Sequence, residues 1–250
     1  MTLVSVTPHF LNSDFLSTER GRRIVSSILT RNKTQRRAFA LLERPVHAPV
    51  DAMDVFEYKL FISGRSGVGK TSMACKLSAN PVPARHSETA GISTYTVFWP
   101  AQIKDSEQVV MFKLTLYDTG ENTLKRFDHV LAACKDKVDG VIFSFSFADK
   151  ASFDDLSHQM SRVTSADDNF CRFVIGTKLD LAATEVTGRD VSNFENAYNL
   201  PVLGISSTNE TSAHASQGQS LPEETVQLTP LLNYICDELW RRDQALASRV

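Results

Sequence analysis

Cysteine is scarce in this sequence. Four residues, Cys75, Cys134, Cys171 and Cys236, are spread over 250 positions with no C-x-x-C pair. That spacing argues against a disulfide framework and a thiolate metal centre, and reads as reduced, buried thiols of a cytosolic chain. Long apolar runs are absent too: no stretch approaches the ~18 residues of a membrane span. The first residues hold only short apolar patches, broken by Pro8, His9 and Asn12, which is not the pattern of a secretory leader. The last four residues, Ala247-Ser248-Arg249-Val250, contain no cysteine, and Thr2 stands where a myristoylated glycine would, so no lipid anchor is expected. A net charge of −2 gives no electrostatic footprint for nucleic acid. The six histidines are scattered and do not form a metal set.

What is present is unevenly distributed. From Glu19 to Arg44 eight basic residues face two acidic ones, a local +6 that leaves −8 on the remainder. Residues 1–50 read as a basic, partly helical N-terminal extension. Helical character runs over Glu19–Leu29 and Thr34–Leu42, with Pro45 and Pro49 as stops. Its basic residues Arg20, Arg22, Arg23, Arg31, Lys33, Arg36 and Arg37 accompany apolar Ile24, Val25, Ile28 and Leu29. Two readings stay open: a helix packed on the domain with a solvated basic face, or a peripheral membrane- or partner-docking helix.

From residue 51 to 250 strand and helix signals alternate. Strands are expected over Val55–Ser63, Ile92–Trp99, Val109–Tyr117, Val138–Phe147, Arg172–Gly176 and Pro201–Ile205. Helices are expected from Thr71 to Ser78, near 122–135, 150–164 and 188–199, and from Thr229 to Ala247, where Leu232, Ile235, Cys236 and Leu239 form one stripe. The polar stretch 207–220 reads as part of a flexible loop near 207–226. The alternation implies a single α/β domain, a mostly parallel central sheet with helices on both faces. Phe143, Phe145 and Phe147 alternate as one face of a core strand. Trp99 fits either the core or an exposed docking surface.

Gly64-Arg65-Ser66-Gly67-Val68-Gly69-Lys70-Thr71 matches G-x-x-x-x-G-K-[ST] without a mismatch, after an expected strand and before an expected helix. The glycines let the backbone curl until successive N–H groups face one phosphate, and the helix adds its N-terminal dipole. Lys70 meets the β- and γ-phosphates as a point charge, and the Thr71 hydroxyl is a Mg²⁺ ligand. Thr177-Lys178-Leu179-Asp180 follows a later strand. The Asp180 carboxylate can accept from guanine N1–H and its exocyclic amine together, where adenine has no donor. Lys178 can lay its aliphatic stem along the base. Thr89-Ala90-Gly91 stands before the second strand, with Thr89 nineteen residues beyond Lys70, and Asp118-Thr119-Gly120 follows the third. A carboxylate at Asp118 would hold Mg²⁺ through water, and the Gly120 N–H would meet the γ-phosphate. The third class weighed, a P-loop kinase or metabolic NTPase, has no use for the Thr177–Asp180 segment.

In order and separation, Gly64–Thr71, Thr89, Asp118–Gly120, Thr177–Asp180 and Ser206-Ser207 resemble the Ras superfamily of small GTPases over roughly residues 55–245. Thr89-Ala90-Gly91-Ile92 resembles a Rab switch I, and Thr-Lys-Leu-Asp the form usual in Rho proteins. Within the superfamily the chain is similar to the Rem- and Rab-like GTPases of the ciliogenesis and planar polarity effector complex. That likeness rests on Leu-Leu-Glu-Arg-Pro-Val (41–46), Ser-Gly-Val-Gly-Lys-Thr (66–71), Val-Phe-Trp-Pro-Ala (97–101), Val-Val-Met-Phe (109–112) and Lys-Arg-Phe-Asp-His (125–129). The resemblance implies a GTP/GDP switch with Mg²⁺, and it places Ser72, Ser206 and Ser207 with the nucleotide-binding residues. It implies a cytoplasmic chain acting in cilium assembly and trafficking at the basal body, with Inturned and Fuzzy proteins as partners. Three departures stand out. Switch II reads Asp118-Thr119-Gly120-Glu121, one residue short, with Glu121 where the family carries a water-orienting Gln. The prenyl cysteines are missing, and the basic extension is extra. Weak intrinsic hydrolysis is therefore expected, with a nucleotide-bound scaffold that scarcely hydrolyses as the alternative.

Overall fold

The computed structural model describes residues 8–29, 53–78, 80–83, 88–121, 138–165, 168–206 and 223–248. The helices expected over 34–42 and near 122–135, and the whole polar stretch 207–220, lie outside these residues. So do Cys134, Arg31, Lys33, Arg36, Arg37 and Ser207.

Six strands form one sheet: β1 (Val55–Ser63), β2 (Ile92–Gln102), β3 (Val109–Thr119), β4 (Gly140–Ser146), β5 (Cys171–Thr177) and β6 (Val202–Gly204). Their order is β2-β3-β1-β4-β5-β6. Only β2 runs antiparallel, paired with β3; the other neighbours are parallel. A strand covered on both faces must be apolar throughout, and all seven residues of β4 are buried. Alternation still sorts the faces. Leu60 and Ile62 of β1, Ile142 of β4, and Phe173 and Ile175 of β5 join one core. Phe61, Val141, Phe143, Phe145 and Val174 join the other, together with Phe147 just past β4. The alternating phenylalanines thus share a face, as expected.

Helices cover both sides. The first core holds residues of α1 (Glu19–Leu29), α2 (Lys70–Leu77) and α6 (Glu223–Ala247). The second holds residues of α3 (Lys150–Asp154), α4 (Leu156–Val163) and α5 (Gly188–Tyr198). The single helix expected over 150–164 is two, divided at Asp155. A capping box between Thr187 and Asp190 starts α5. The expected start of the last helix at Thr229 is corrected to Glu223, with Pro230 inside it. Proline removes one N–H from the helical ladder, leaving the carbonyl four residues earlier, that of Val226, without its usual donor. Val226 is exposed, so water can reach it. Thr229 ties the same turn by donating its hydroxyl to Thr225 O at 2.7 Å.

The N-terminal segment is part of the same body. Leu11, Phe15, Leu16, Ile24 and Val25 lie in the first core. Leu11 bridges Ile103 in antiparallel fashion, and the backbone N–H groups of His9, Phe10 and Leu11 all donate to buried Asp237 of α6, at 2.8, 2.7 and 2.8 Å. Arg20, Arg22 and Arg23 stay exposed, so over the described residues α1 is a packed helix with a solvated basic face. Trp99 is fully buried and its indole N–H donates to Asn233 Oδ1 at 2.8 Å, which decides for the core.

Candidate functional site

The sheet reverses its winding at β1, flanked by β3 on one side and β4 on the other. Crevices of this kind open at the carboxyl ends of the strands. Three expected segments start there: Gly64 after β1, Asp118 at the end of β3 and Thr177 at the end of β5. Register brings the first two together, since Ile62 pairs with Asp118 across the parallel ladder.

The loop Gly64–Thr71 is shaped by its glycines. Gly67 and Gly69 have φ of 79° and 102°, a region other residues adopt only under strain. A Cβ at Gly64 would stand 2.5 Å from the Ser144 carbonyl oxygen of β4, so the loop leaves the sheet too close for a side chain. Gly69 is the N-cap of α2 and supplies no side-chain cap, leaving the first N–H groups to a ligand. Val68 is buried and anchors the loop from below. Lys70 is buried and donates to Gly64 O at 2.8 Å and Arg65 O at 2.9 Å, which uses two of its three donors.

Three oxygen-bearing side chains from three segments converge beside it. The Thr71 hydroxyl donates to Asp118 Oδ2 at 2.7 Å, the Thr89 hydroxyl to the same oxygen at 3.1 Å, and the two hydroxyl oxygens are 3.2 Å apart. Asp118 is fully buried, and its other oxygen, Oδ1, accepts no hydrogen bond among the described residues. A buried carboxylate oxygen without a donor is costly unless a cation or its water shell meets it. Adjacent ligands of a Mg²⁺ octahedron with 2.0–2.1 Å bonds stand about 2.9 Å apart, close to the hydroxyl separation. The donor set is all oxygen, as a hard cation requires, and fits Mg²⁺ with Thr71 and Thr89 as direct ligands and Asp118 one shell out.

Electrostatics agree. Burial pushes the Asp118 carboxyl up from its ordinary range, against the Thr71 hydrogen bond, the Lys70 charge and the Thr89 hydrogen bond. Burial pushes Lys70 down, against the carboxylates of Asp118, Glu121 and Glu88. A cation and a polyphosphate would each favour the charged form of its neighbour.

The cavity at these groups measures about 410 Å³. Ser66, Gly67, Gly69, Lys70, Thr71, Ser72, Thr89, Gly120, Glu121 and Lys178 all line it. Lys178, at φ 55°, ties the two loops by donating to Gly67 O at 2.8 Å. The buried Thr177 hydroxyl donates to Val68 O and lies 3.0 Å from Phe145 O. Thr177 therefore braces the phosphate loop from the base-side segment. Asp180 is exposed on the turn after β5, outside the cavity wall. A penalty against adenine would thus come from desolvating Asp180 when a base covers it, since the carboxylate is not already buried. Ser206 sits after β6, and its carbonyl accepts from Lys76 Nζ of α2 at 2.6 Å.

Gly120 is wedged in place: a Cβ would stand 2.5 Å from the Thr89 carbonyl and 3.0 Å from Glu88 Cγ. Glu121 reaches back to the phosphate loop, where the Ser66 N–H donates to its Oε2 at 2.6 Å. Arg65 lines a neighbouring cleft of about 580 Å³ with Asp154, Asp155, His158, Gln159 and Arg162; Gly64 also lines this cleft, and Glu121 stands between the two, lining both. Sequence reasoning missed Glu88, Ser93, Tyr95 and Pro83, which also line the 410 Å³ cavity. Burial and a Cys75 hydrogen bond raise the Tyr95 phenol to about 12. None of the four belongs to a motif; only the folding of β2 against α2 brings them in.

Comparison with known proteins places this architecture. Residues 59–218 match the Ras family. The chain is 40% identical over 249 residues to ciliogenesis and planar polarity effector 2 of Danio rerio, covering 99% of this chain and 93% of the relative. The Xenopus laevis protein of that name is 41% identical over 250 residues, covering 99% and 98%. The Homo sapiens protein is 41% identical over 230 residues, covering 91% and 88%.

Proposed function

The chain belongs to the Ras family, and on that premise we propose that it is a Mg²⁺-dependent guanine-nucleotide switch with slow intrinsic hydrolysis. The observation that carries this is the meeting of Thr71, Thr89 and Asp118 beside a phosphate loop whose lysine is buried. Mg²⁺, once bound, would neutralise charge on the β- and γ-phosphates. The chain's own groups do the rest. The N–H groups of Ser66–Thr71 and the third Lys70 donor hold the phosphates, Lys178 flanks the base and Asp180 selects guanine. Gly120 offers its N–H to the γ-phosphate. Thr89 and Gly120 lie on the two segments that touch a third phosphate, so its presence or loss changes their positions, which is the switch.

Slow hydrolysis follows from Glu121. A carboxylate can accept from the attacking water but cannot donate toward the phosphate, and its charge repels the γ-oxygens. Arg65 lines the neighbouring cleft and is not among the residues of the phosphate cavity, so it is not placed as a finger in cis. Turnover is then set by a partner, and GTP, once loaded, persists long enough for the protein to act as an assembly component. The near full-length likeness to ciliogenesis and planar polarity effectors supports a role in cilium assembly and trafficking, with Inturned and Fuzzy proteins as partners and the basal body as the place of action. The exposed Arg20, Arg22 and Arg23 of α1 support peripheral contact with an anionic membrane. Titration with GTP and ATP tests the base assignment. Asp180→Asn should lose its preference for guanine and gain one for xanthine nucleotides, and equal GTP and ATP affinity in the wild type would end the reading. Single-turnover hydrolysis well above ~10⁻² s⁻¹, the rate of GTPases with an arginine in cis, would contradict the account of Glu121.

A further inference from the structure

We propose that the Glu121 carboxylate is an intramolecular stand-in for the terminal phosphate, so that the site prefers GDP and a triphosphate binds only by displacing it. This rests on the guanine-nucleotide reading above and adds the basis on which the site tells its two nucleotides apart.

The phosphate loop offers backbone N–H groups to an anion. One of them, that of Ser66, already holds an anion supplied by the chain itself, Glu121 Oε2 at 2.6 Å. Glu121 lines the same cavity as Lys70, Thr71, Thr89 and Gly120, and its charge acts on Lys70. The carboxylate thus addresses the two groups, a loop amide and the loop lysine, that a terminal phosphoryl group would use. Gly120, the residue before it, has no room for a side chain, since a Cβ would stand 2.5 Å from the Thr89 carbonyl, so the turn that carries Glu121 runs close along Thr89 and Glu88.

One N–H cannot serve a carboxylate and a phosphoryl oxygen together, and two anions beside one ammonium repel. A diphosphate lacks the terminal group and leaves the carboxylate where it is. A triphosphate must break the Ser66–Glu121 bond and move a negative charge aside. A glutamine at this position would keep the shape and remove the charge. Losing one charge-assisted hydrogen bond at a solvent-facing site corresponds to a change of about tenfold in affinity.

The test measures the dissociation constants of GDP and the β,γ-imido analogue of GTP, with Mg²⁺, for wild type, Glu121→Gln and Glu121→Asp. The wild type is expected to bind GDP more tightly, by about tenfold or more. Glu121→Gln should tighten the triphosphate analogue about tenfold and leave GDP within about twofold. Glu121→Asp, still charged but one methylene shorter, should fall between. Because GDP binding is read on each variant, a folded site is verified in the same experiment. An unchanged triphosphate-to-diphosphate ratio in Glu121→Gln, or equal shifts for both nucleotides, overturns the inference alone. Failure of the wild type to bind either nucleotide overturns the guanine-nucleotide reading and the inference with it.

Discussion

Asp237→Ala should detach the N-terminal segment and cost much of the domain's stability. Asp237 is 1% exposed on α6 and accepts three backbone N–H groups from His9, Phe10 and Leu11. Hydrogen bonds to a charged acceptor are worth about 1.5–3 kcal/mol each. The three are not independent, and the bonds from His9 and Phe10 are only partly buried, so their N–H groups can turn to water once released. A loss of about 3 kcal/mol is expected, short of the additive sum. At about 2–4 °C per kcal/mol for a chain of this size, the melting temperature should fall by about 6–12 °C. Leu11 ends the clamp, and Phe15 and Leu16 follow it, at 0%, 2% and 3% exposure, so their burial should loosen with it. Differential scanning calorimetry reads the first effect. Limited trypsin digestion at Arg20, Arg22 and Arg23 reads the second, with faster cleavage expected in the variant. Asp237→Asn, which keeps one acceptor oxygen, should lose less. A melting temperature within about 2 °C of wild type and an unchanged cleavage rate would refute the idea that the segment is clamped into the core.

Two further substitutions test the packing. In Gly176→Ala, the new Cβ would stand 2.3 Å from Phe147 Cε2 and 2.6 Å from Phe145 Cζ, both on fully buried rings, so overpacking should cost about 1–3 kcal/mol in urea unfolding; no change would mean that the two rings shift freely. Lys150 and the Thr187 hydrogen bonds hold the Asp190 carboxyl well below the usual carboxylate range, so its contribution is present above about pH 4 and fades as pH falls toward the folded value; the stability gap between wild type and Asp190→Asn should therefore narrow below about pH 4, and a constant gap would contradict it.

The sequence made the strands legible where burial is complete on both faces. The run of β4 and the alternating Phe143, Phe145 and Phe147 follow from local chemistry alone, as does the loop Gly64–Thr71, whose glycines and lysine must be contiguous to surround one phosphate. Glu19–Leu29 was equally plain as a helix. Its role was not, because the groups that seat the segment, Asp237 and Ile103, lie far along the chain. The same holds for Asn233, whose contact with Trp99 settles that residue's place. The first turns of α6, before Thr229, are hidden because Pro230 lies inside the helix, where proline is rare; exposed Val226 and the Thr229–Thr225 hydrogen bond make that position tolerable. In the sequence Glu121 stands only as a replaced glutamine; its contact with Ser66 depends on the turn of Gly120 against Thr89, which no spacing reveals.

The central claim is that the convergence of Thr71, Thr89 and Asp118 at the phosphate loop holds Mg²⁺ and a guanine nucleotide. The most direct measurement is the nucleotide released on denaturing the purified protein, separated by ion-exchange chromatography, with the melting temperature recorded before and after chelation of Mg²⁺. The account predicts guanine nucleotide near one equivalent, a lower melting temperature after chelation because bound ligand stabilises by mass action, and neither effect in Thr71→Asn. Adenine nucleotide in the released fraction, or a melting temperature indifferent to both Mg²⁺ and added GDP, would contradict it.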